Sequence, residues 1–357
     1  MRTIRVLVVE DSLTIRRRII EVLASDPDLE VVAEAGDGEQ AVALCERHRP
    51  DVVTLDMMLP VMSGLTATEH IMARRPTPIL IVSASTNRAE VYKTCDALAA
   101  GAIDVLEKPD GAQFDGAWEQ RLIATVKLVS RIRVITHPRA SLRRLGSADA
   151  GGWSAPRPTA RACDAIAIGG STGGPAAVLE ILRALPVGFP VPILLVIHIG
   201  SPFAPGFAEW LDEQSPFRVV FARDGEPLPR PAEGRVIMAP PDRHLVLQDG
   251  RLRVSDDAER HSCRPSIDVL FESFARELGP RGAACLLTGM GRDGAAGLLA
   301  VRRAGGATIA QDESSSIVFG MPREAILLGA PEQVLSLGEI APALAALVRT
   351  GEACKPI

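Results

Sequence analysis

Short apolar runs alternate with amphipathic stretches through the first third of the chain. The runs are rich in Val and Ile, helical patterns separate them, and they lie at residues 4–9, 31–33, 52–55, 79–82 and 103–106. Strands that alternate with helices in this way form a parallel sheet covered by helices on both faces. The pattern therefore predicts an α/β domain with a five-stranded parallel sheet over residues 1–124.

The periodic pattern is lost between residues 125 and 160. We interpret this segment as a linker. From residue 131 onward this segment is basic and rich in Pro, Gly, Ser and Ala, a composition typical of linkers. Further apolar runs follow at residues 165–168, 191–197, 218–221, 235–239 and 283–287. Because they again lie among helical or glycine-rich segments, we expect a second, doubly wound α/β domain over residues 161–350.

Composition narrows the possible classes of function. With 357 residues the chain is long enough for two domains, and its net charge of -5 argues against a nucleic-acid partner. Because there is no apolar stretch of about 20 residues, we expect no membrane insertion. The six cysteines are scattered without a CxxC pair, which argues against a disulfide framework or a zinc site and favours a cytoplasmic location.

Charged and hydroxyl side chains follow the strands of the first predicted domain. Glu10 and Asp11 come after the first run, Asp56 after the third, Ser83 after the fourth and Lys108 after the fifth. The carboxyl ends of parallel strands meet at one edge of the sheet, where such folds bind ligands. Three adjacent carboxylates repel one another, and Mg²⁺ would relieve that repulsion. A carboxylate beside Mg²⁺ and an ammonium group can accept a phosphoryl group, since the cations neutralise the incoming charge.

The motifs VVEDS, LDMMLPVMSG, IVSAST and EKP resemble those of the receiver domain of response regulators. The resemblance implies a flavodoxin-like fold, with Asp56 as the phosphoacceptor and a histidine kinase as the phosphodonor. It assigns Mg²⁺ to Glu10, Asp11 and Asp56, and contacts with the phosphoryl group to Ser83 and Lys108.

Two positions depart from the usual receiver pattern. Met58, whose backbone carbonyl would be a further Mg²⁺ ligand, stands where many receivers carry a polar side chain. Val105 stands where an aromatic switch residue is common. The usual readout through an aromatic rotamer is therefore not expected in this chain.

The segment AIAIGGSTGG at 165–174 admits three interpretations. It could bind phosphate at a helix N-terminus, but its spacing matches neither GxGxxG nor GxxxxGK[ST]. It matches GxSxG, the nucleophile elbow of α/β-hydrolases, at Gly169, Ser171 and Gly173. It could also present a serine nucleophile on a different α/β scaffold, which requires a base and an orienting acid elsewhere in the chain.

The candidates for the base and the orienting acid are histidines and aspartates that follow strands. His198 ends the apolar run at 191–197, and we expect it at the sheet edge beside the strand of Ser171. His244 and His261 lie in polar, hairpin-like surroundings and are predicted to be surface residues. Asp293 lies in LLTGMGRDGAAG, a glycine-rich turn between a strand and a helix, where it could orient His198 or simply cap the turn.

The order of these residues distinguishes the candidate folds. The α/β-hydrolases place the acid before the histidine, whereas the order here is Ser171, His198, Asp293. This order favours a serine hydrolase that does not have the α/β-hydrolase fold. The backbone amide of Met290 and the helix N-terminus behind Ser171 are candidate donors to an oxyanion.

Five stretches of the second domain resemble the chemotaxis protein-glutamate methylesterases, over roughly residues 163–348. They are IGGSTGGPAA, SPFAPGFAEWLD, CRPSIDVLFES, LLTGMGRDGAAGL and IAQDESSSIVFGMPREAI. The resemblance implies that Ser171 is the nucleophile, His198 the general base and Asp293 its orienting acid. It places Thr172 and Met290 near the oxyanion.

The combined resemblance implies a phosphorylation-regulated enzyme. It would remove methyl esters from glutamates of methylated chemoreceptors, release methanol, deamidate glutamines, and need no cofactor in its esterase domain. One departure is the sequence Ile-His-Ile-Gly at 197–200, where the family usually has Gln-His-Met-Pro. The alternative is a non-enzymatic signalling module whose Gly-Ser loop holds an anion.

Overall fold

The computed structural model describes residues 3–84, 87–109, 116–132, 134, 163–230 and 234–348. The chain forms two compact units, Met1–Gly152 and Trp153–Ile357. Most of the expected linker at 125–160 lies outside the described residues. Its first residues, however, continue the last helix of the first unit, which ends at Val129 rather than at the expected domain boundary of 124.

Five strands and five helices alternate through the described part of the first unit. They are β1 (Ile4–Val9), α1 (Leu13–Ala24), β2 (Leu29–Ala35), α2 (Gly38–His48), β3 (Val52–Leu55), α3 (Gly64–Arg74), β4 (Ile79–Ser83), α4 (Arg88–Ala99), β5 (Asp104–Glu107) and α5 (Gly116–Val129). The strands pair in parallel in the order β2-β1-β3-β4-β5. This is the flavodoxin-like arrangement that the sequence predicts.

Burial explains why the strand pattern was readable in this unit. Every residue of β3 and β4 is buried, since helices cover both faces of the sheet and the strands read as continuous apolar runs. The helices begin at polar caps: Asp37 accepts a hydrogen bond from Gln40 N at 2.8 Å, and Ser63 accepts one from Thr66 N at 3.2 Å.

The second unit is a larger α/β fold. Its elements are β6 (Ala165–Gly170), α6 (Gly174–Ala184), β7 (Ile193–Ile197), α7 (Ala204–Gln214), β8 (Arg218–Phe221), β9 (Arg235–Met238), β10 (His244–Gln248), β11 (Arg251–Ser255), α8 (Ile267–Leu278), β12 (Gly282–Leu286), α9 (Ala295–Arg303), β13 (Ala307–Gln311), α10 (Met321–Leu327), β14 (Gln333–Leu335) and α11 (Leu337–Leu347). Seven strands form a parallel sheet in the order β14-β13-β12-β6-β7-β9-β8, and β10 and β11 form a separate antiparallel hairpin.

The position of the candidate site follows from this order. The chain builds the sheet outward from β6, first to one side through β7 and later to the other side through β12. The boundary between β6 and β12 is therefore the switch point of the sheet, and such folds bind ligands beyond the carboxyl ends of the strands there. Among the described residues, no helix is long and apolar enough to cross a membrane.

Two glycines bring helix α8 close to this edge. A Cβ atom at Gly169 or at Gly294 would collide with the side chain of Ile267, the first residue of α8. Because both positions lack a Cβ, the N-terminus of α8 packs directly against β6 and against the loop after β12.

Candidate functional site

Three carboxylates of the first unit meet at the carboxyl edge of its sheet, as predicted. Oxygen atoms of Glu10, Asp11 and Asp56 lie within 4.8 Å of one another. Asp56 follows β3 and is 3% exposed, and Glu10 follows β1 and is 1% exposed. Lys108 Nζ lies 2.8 Å from Glu10 Oε2 and 2.8 Å from Asp56 Oδ2, so the ammonium group joins the two buried acids.

The electrostatics of this pocket favour a bound cation. Burial, followed by the charge of Asp56, raises the pKa of Glu10 to about 7, although Lys108 opposes the rise. Glu10 Oε2 is buried and, apart from its ion pair with Lys108, has no hydrogen-bond partner among the described residues. A cluster of carboxylate oxygens, one of which is buried without a hydrogen-bond partner, is a donor set that fits Mg²⁺.

Ser83 ends β4 and is fully buried. Its hydroxyl donates a hydrogen bond to Glu90 Oε1 at 2.6 Å, and Glu90 in α4 is itself only 5% exposed. Its carbonyl accepts a hydrogen bond from Lys108 N at 2.9 Å, which links the two predicted phosphoryl contacts. Sequence reasoning missed Glu90, because a glutamate within a helix usually faces solvent.

In the second unit, Ser171 is the first residue after β6. Its amide donates to the carbonyl of Thr288 at 3.0 Å, and its carbonyl accepts from Gly174 N at 2.6 Å, which closes a tight turn into α6. Gly173 has a φ of 78° in this turn, a conformation that favours glycine. Thr172 is buried, and its carbonyl accepts from Thr288 Oγ1 at 3.0 Å.

The loop after β12 packs tightly against Ser171. A Cβ atom at Gly289 would lie 2.7 Å from Ser171 Cβ and 2.5 Å from Met321 Sδ, so only glycine fits there. Gln311 supports the loop by accepting the amide hydrogen of Thr288 at 2.8 Å. The side chain of Met290, one residue further along, is 53% exposed.

His198 lies where the sequence placed it, one residue beyond β7 and beside β6. Its amide donates to Gly170 O at 3.0 Å. Its Nε2 forms a 3.0 Å hydrogen bond with Asp293 Oδ2, and its Nδ1 lies 3.8 Å from Cys263 Sγ. Burial lowers the pKa of His198, but Asp293 and Cys263 together outweigh this effect and raise it to about 9.

Asp293 is buried, 2% exposed, and both of its carboxylate oxygens accept hydrogen bonds. Besides His198, it accepts hydrogen bonds from Ser266 Oγ at 2.7 Å and Ile267 N at 2.7 Å, and from Asp268 N and Gly294 N at 3.1 Å. Burial raises the pKa of Asp293, but the contacts with His198 and with these donors outweigh burial and lower it. Donors at the N-terminus of α8 therefore keep this carboxylate ionised.

The prediction that His244 is a surface residue was wrong. Its side chain is 1% exposed, its Nδ1 accepts from Ser266 N at 3.1 Å, and its Nε2 lies 3.1 Å from Ala258 O. The reason is that β10 packs against α8, where Leu247 N donates to Ser273 Oγ. His244 thus supports Ser266, which in turn holds Asp293. His261 is exposed, as expected.

A cavity of about 530 Å³ opens at this site, lined in part by His261, Cys263, Met290 and Asp293. The structure thus brings His198, Cys263 and Asp293 together and places Met290 on the same cavity. Among the described residues, no hydrogen bond joins Ser171 to His198. Sequence reasoning missed Cys263 and Ser266 because they lie in the loop between β11 and α8, which only tertiary packing brings to the site.

Each of the two units matches a known protein family. The model of the CheB methylesterase family matches residues 166–344, and that of the response regulator receiver domain matches residues 6–114. Among solved structures, the CheB methylesterase catalytic domain of Thermotoga maritima is 36% identical and covers 52% of this chain and 100% of its own, with a TM-score of 0.49.

Relatives similar over nearly the whole length carry the name protein-glutamate methylesterase/protein-glutamine glutaminase. The protein from Anaeromyxobacter dehalogenans is 43% identical and covers 98% of each chain. The proteins from Nitrosospira multiformis and Pseudomonas aeruginosa are 45% and 42% identical, with 97% and 96% of each chain covered. The chain therefore belongs to the protein-glutamate methylesterase/protein-glutamine glutaminase family, with a receiver domain and a CheB methylesterase domain.

Proposed function

We propose that this chain removes methyl groups from glutamate methyl esters of chemoreceptors, deamidates receptor glutamines, and is regulated by phosphorylation at Asp56. The observation that carries the proposal is the His198–Asp293 pair. A carboxylate with both oxygens hydrogen-bonded orients the imidazole of His198, which follows β7, and β7 lies beside β6, the strand that leads into Ser171. An orienting acid, a base and a nucleophile from adjacent strand ends are the requirements of acyl transfer by a serine.

The proposed chemistry runs through a glutamyl-serine ester. Ser171 Oγ attacks the ester carbonyl carbon while His198 accepts the hydroxyl proton, which it then donates to the departing methanol. Water attacks the new ester, His198 accepts one of its protons, and that proton returns to Ser171 as the carboxylic acid leaves and loses its own proton to solvent. A glutamine side chain follows the same steps and releases ammonia.

The proposal gives the two nitrogens of His198 different tasks. Nε2 is engaged by Asp293, so Nδ1 is the nitrogen that exchanges the proton with Ser171. Asp293 fixes the ring orientation and stabilises the imidazolium that forms during the reaction. Backbone amides near Thr172 and Met290, in the loops on either side of Ser171, are the proposed donors to the developing oxyanion.

The proposed regulation depends on the carboxylate cluster of the first unit. Asp56 receives a phosphoryl group from a chemotaxis histidine kinase, and Lys108 neutralises part of the added charge. Glu10, Asp11 and Asp56 would hold Mg²⁺, which neutralises charge on the transferring phosphoryl group when it is bound. Phosphorylation then raises the esterase rate by favouring the active population of the chain.

The rival interpretation is a non-enzymatic module whose Gly-Ser loop binds an anion. An anion held by the N-terminus of α6 would require neither a histidine nor an orienting acid. The rival therefore gives no role to Asp293, whose charge is held by five hydrogen bonds and directed at His198.

The test is a product assay on methylated chemoreceptor with the full-length protein. Methanol from methyl esters and ammonia from glutamines are measured with and without acetyl phosphate and Mg²⁺. We expect both products, released faster with the phosphodonor. If neither product forms, the rival interpretation holds, whereas methanol release that ignores the phosphodonor contradicts only the regulatory part.

A further inference from the structure

Cys263 lies against the proposed general base but has no part in the proposed triad. Its Sγ is 3.8 Å from His198 Nδ1. Cys263 is partly exposed and lines the cavity of the site, so a small solute can reach the thiol. Among the described cysteines it differs in this respect, since Cys45, Cys95, Cys163 and Cys285 are buried.

The spacing of these two atoms suits a metal ion. Zn²⁺ binds thiolate sulfur at about 2.3 Å and imidazole nitrogen at about 2.0–2.1 Å, so a tetrahedral angle separates the two ligand atoms by about 3.6 Å. The observed separation is 3.8 Å. Thiolate and imidazole ligands also bind Zn²⁺ in preference to hard cations such as Mg²⁺.

The far side of the imidazole is arranged as in many metal sites. A histidine that binds a metal usually donates its other ring N–H to a carboxylate, which fixes the tautomer and the ring orientation. Asp293 accepts from Nε2 of His198, which leaves the lone pair of Nδ1 directed toward the side of Cys263. The carboxylate that orients the base thus also prepares the ring to bind a cation.

We propose that Cys263 Sγ and His198 Nδ1 form an inhibitory Zn²⁺ site. Binding displaces the thiol proton and the proton that Nδ1 carries in the imidazolium form to solvent, forms a zinc–sulfur and a zinc–nitrogen bond, and leaves the remaining positions on the ion to water. Zn²⁺ then occupies the Nδ1 lone pair that would accept the proton of Ser171. The binding stands independently, whereas the inhibition rests on the proposed role of His198.

The scattered cysteines of the sequence gave no zinc motif because the two ligands are distant along the chain. They lie 65 positions apart and come from the end of β7 and from the loop before α8. The fold alone places them together. With two protein ligands, the site is expected to bind Zn²⁺ reversibly and more weakly than a structural site with four.

The experiment titrates Zn²⁺ into the full-length protein while methanol release is followed without phosphodonor. Each variant is normalised to its own rate without zinc. We expect wild type to be inhibited and then restored by EDTA, and C263S to need at least about tenfold more Zn²⁺ for half inhibition, because it loses one of two ligands. S262A, a neighbour on the same cavity, is the matched control and should retain wild-type sensitivity.

A spectroscopic readout separates binding from inhibition. Co²⁺ bound to a thiolate gives a charge-transfer band in the near ultraviolet, which we expect in wild type and in S171A but not in C263S. Equal zinc sensitivity of wild type and C263S, with no thiolate band, overturns the site. A band that C263S abolishes, without any zinc inhibition of wild type, overturns the inhibitory claim and the role given to His198 Nδ1.

Discussion

The two units each bury an aspartate beyond the carboxyl end of a parallel strand, yet they surround it differently. In Asp56, Oδ1 accepts from Met57 N at 2.7 Å and Met58 N at 3.4 Å, while Oδ2 faces the ammonium of Lys108. In Asp293, five donors occupy both oxygens. Burial is nearly equal, so the hydrogen-bond partners are what distinguish the proposed phosphoacceptor from the proposed orienting acid.

The surrounding charges support the same distinction. Asp56 adjoins other acids, and its charge contributes to the raised pKa of Glu10. Asp293 is surrounded by donors, and its own pKa is lowered. A carboxylate beside other acids favours the binding of a cation. A carboxylate surrounded by hydrogen-bond donors keeps its charge at neutral pH and can stabilise an imidazolium.

After removal of the nucleophile itself, the largest effect is expected from D293N. An asparagine at this position cannot stabilise the imidazolium and favours the wrong ring tautomer, and its amide group opposes the surrounding N–H donors. We expect the esterase kcat to fall by about 10³–10⁴-fold, as for such changes in other serine hydrolases. The measurement is methanol release from methylated receptor at saturating substrate.

A neighbouring aspartate supplies the control for D293N. Asp268 is also buried, but it contacts His261 and Gly297 rather than His198, so D268N should lose far less activity. The pH profile is a further check. In the proposed mechanism neutral His198 is the active form. Because Asp293 helps to raise the pKa of His198 to about 9, the rising limb of the profile should move to lower pH in D293N. An unmoved limb would argue against the pair.

The second effect concerns Asp56. D56N cannot form the acyl phosphate, so the ratio of the esterase rates with and without acetyl phosphate should fall to one. Chelation of Mg²⁺ should give the same ratio in the wild-type protein, since the cation neutralises the charge of the incoming phosphoryl group. If D56N is still stimulated, the phosphoacceptor lies elsewhere.

A smaller effect is expected from G289A. The new Cβ would press on Ser171 and Met321, which should cost about 1–3 kcal/mol of the free energy of unfolding and displace the nucleophile. The matched control is G338A in α11, where a new Cβ meets nothing within 4 Å, so the helix should gain up to about 1 kcal/mol. Urea unfolding and methanol release of both variants test this. Normal activity in G289A would mean that the loop does not position Ser171.

The smallest effect is expected from E90Q. Glu90 accepts the hydroxyl hydrogen of Ser83, and a neutral amide accepts it less strongly than a carboxylate does. Ser83 should then turn more readily toward a phosphoryl group, and half-maximal stimulation should need about two- to fivefold less acetyl phosphate, corresponding to about 0.5–1 kcal/mol. An unchanged requirement would mean that this contact does not restrain Ser83.

The strands and their polar ends could be predicted from the sequence for a physical reason. Strands buried on both faces appear as continuous apolar runs, and parallel strands bring residues such as Asp56, Ser171 and His198 to a shared edge. The short edge strand β14 carries no such run, since it has only three residues, none of them buried. It was therefore not predicted. The fully buried strand β13 was missed as well, because Thr and Gln interrupt its apolar residues.

The supporting residues of the site were beyond sequence reasoning. Cys263 and Ser266 reach His198 and Asp293 because hairpin β10–β11 and helix α8 pack together, and no local pattern encodes that packing. His244 was assigned to the surface because its neighbours look polar, yet one side of its strand faces the helix. The partners that surround His198 thus come from tertiary structure, whereas the position of His198 at a strand end follows from strand periodicity.

The most direct test of the catalytic assignment is methanol release from methylated receptor by S171A, with folding checked by circular dichroism. The assignment predicts a loss of about 10⁴-fold or more, because the nucleophile and its covalent intermediate are removed. Methanol release near the wild-type rate in a folded S171A protein would contradict it.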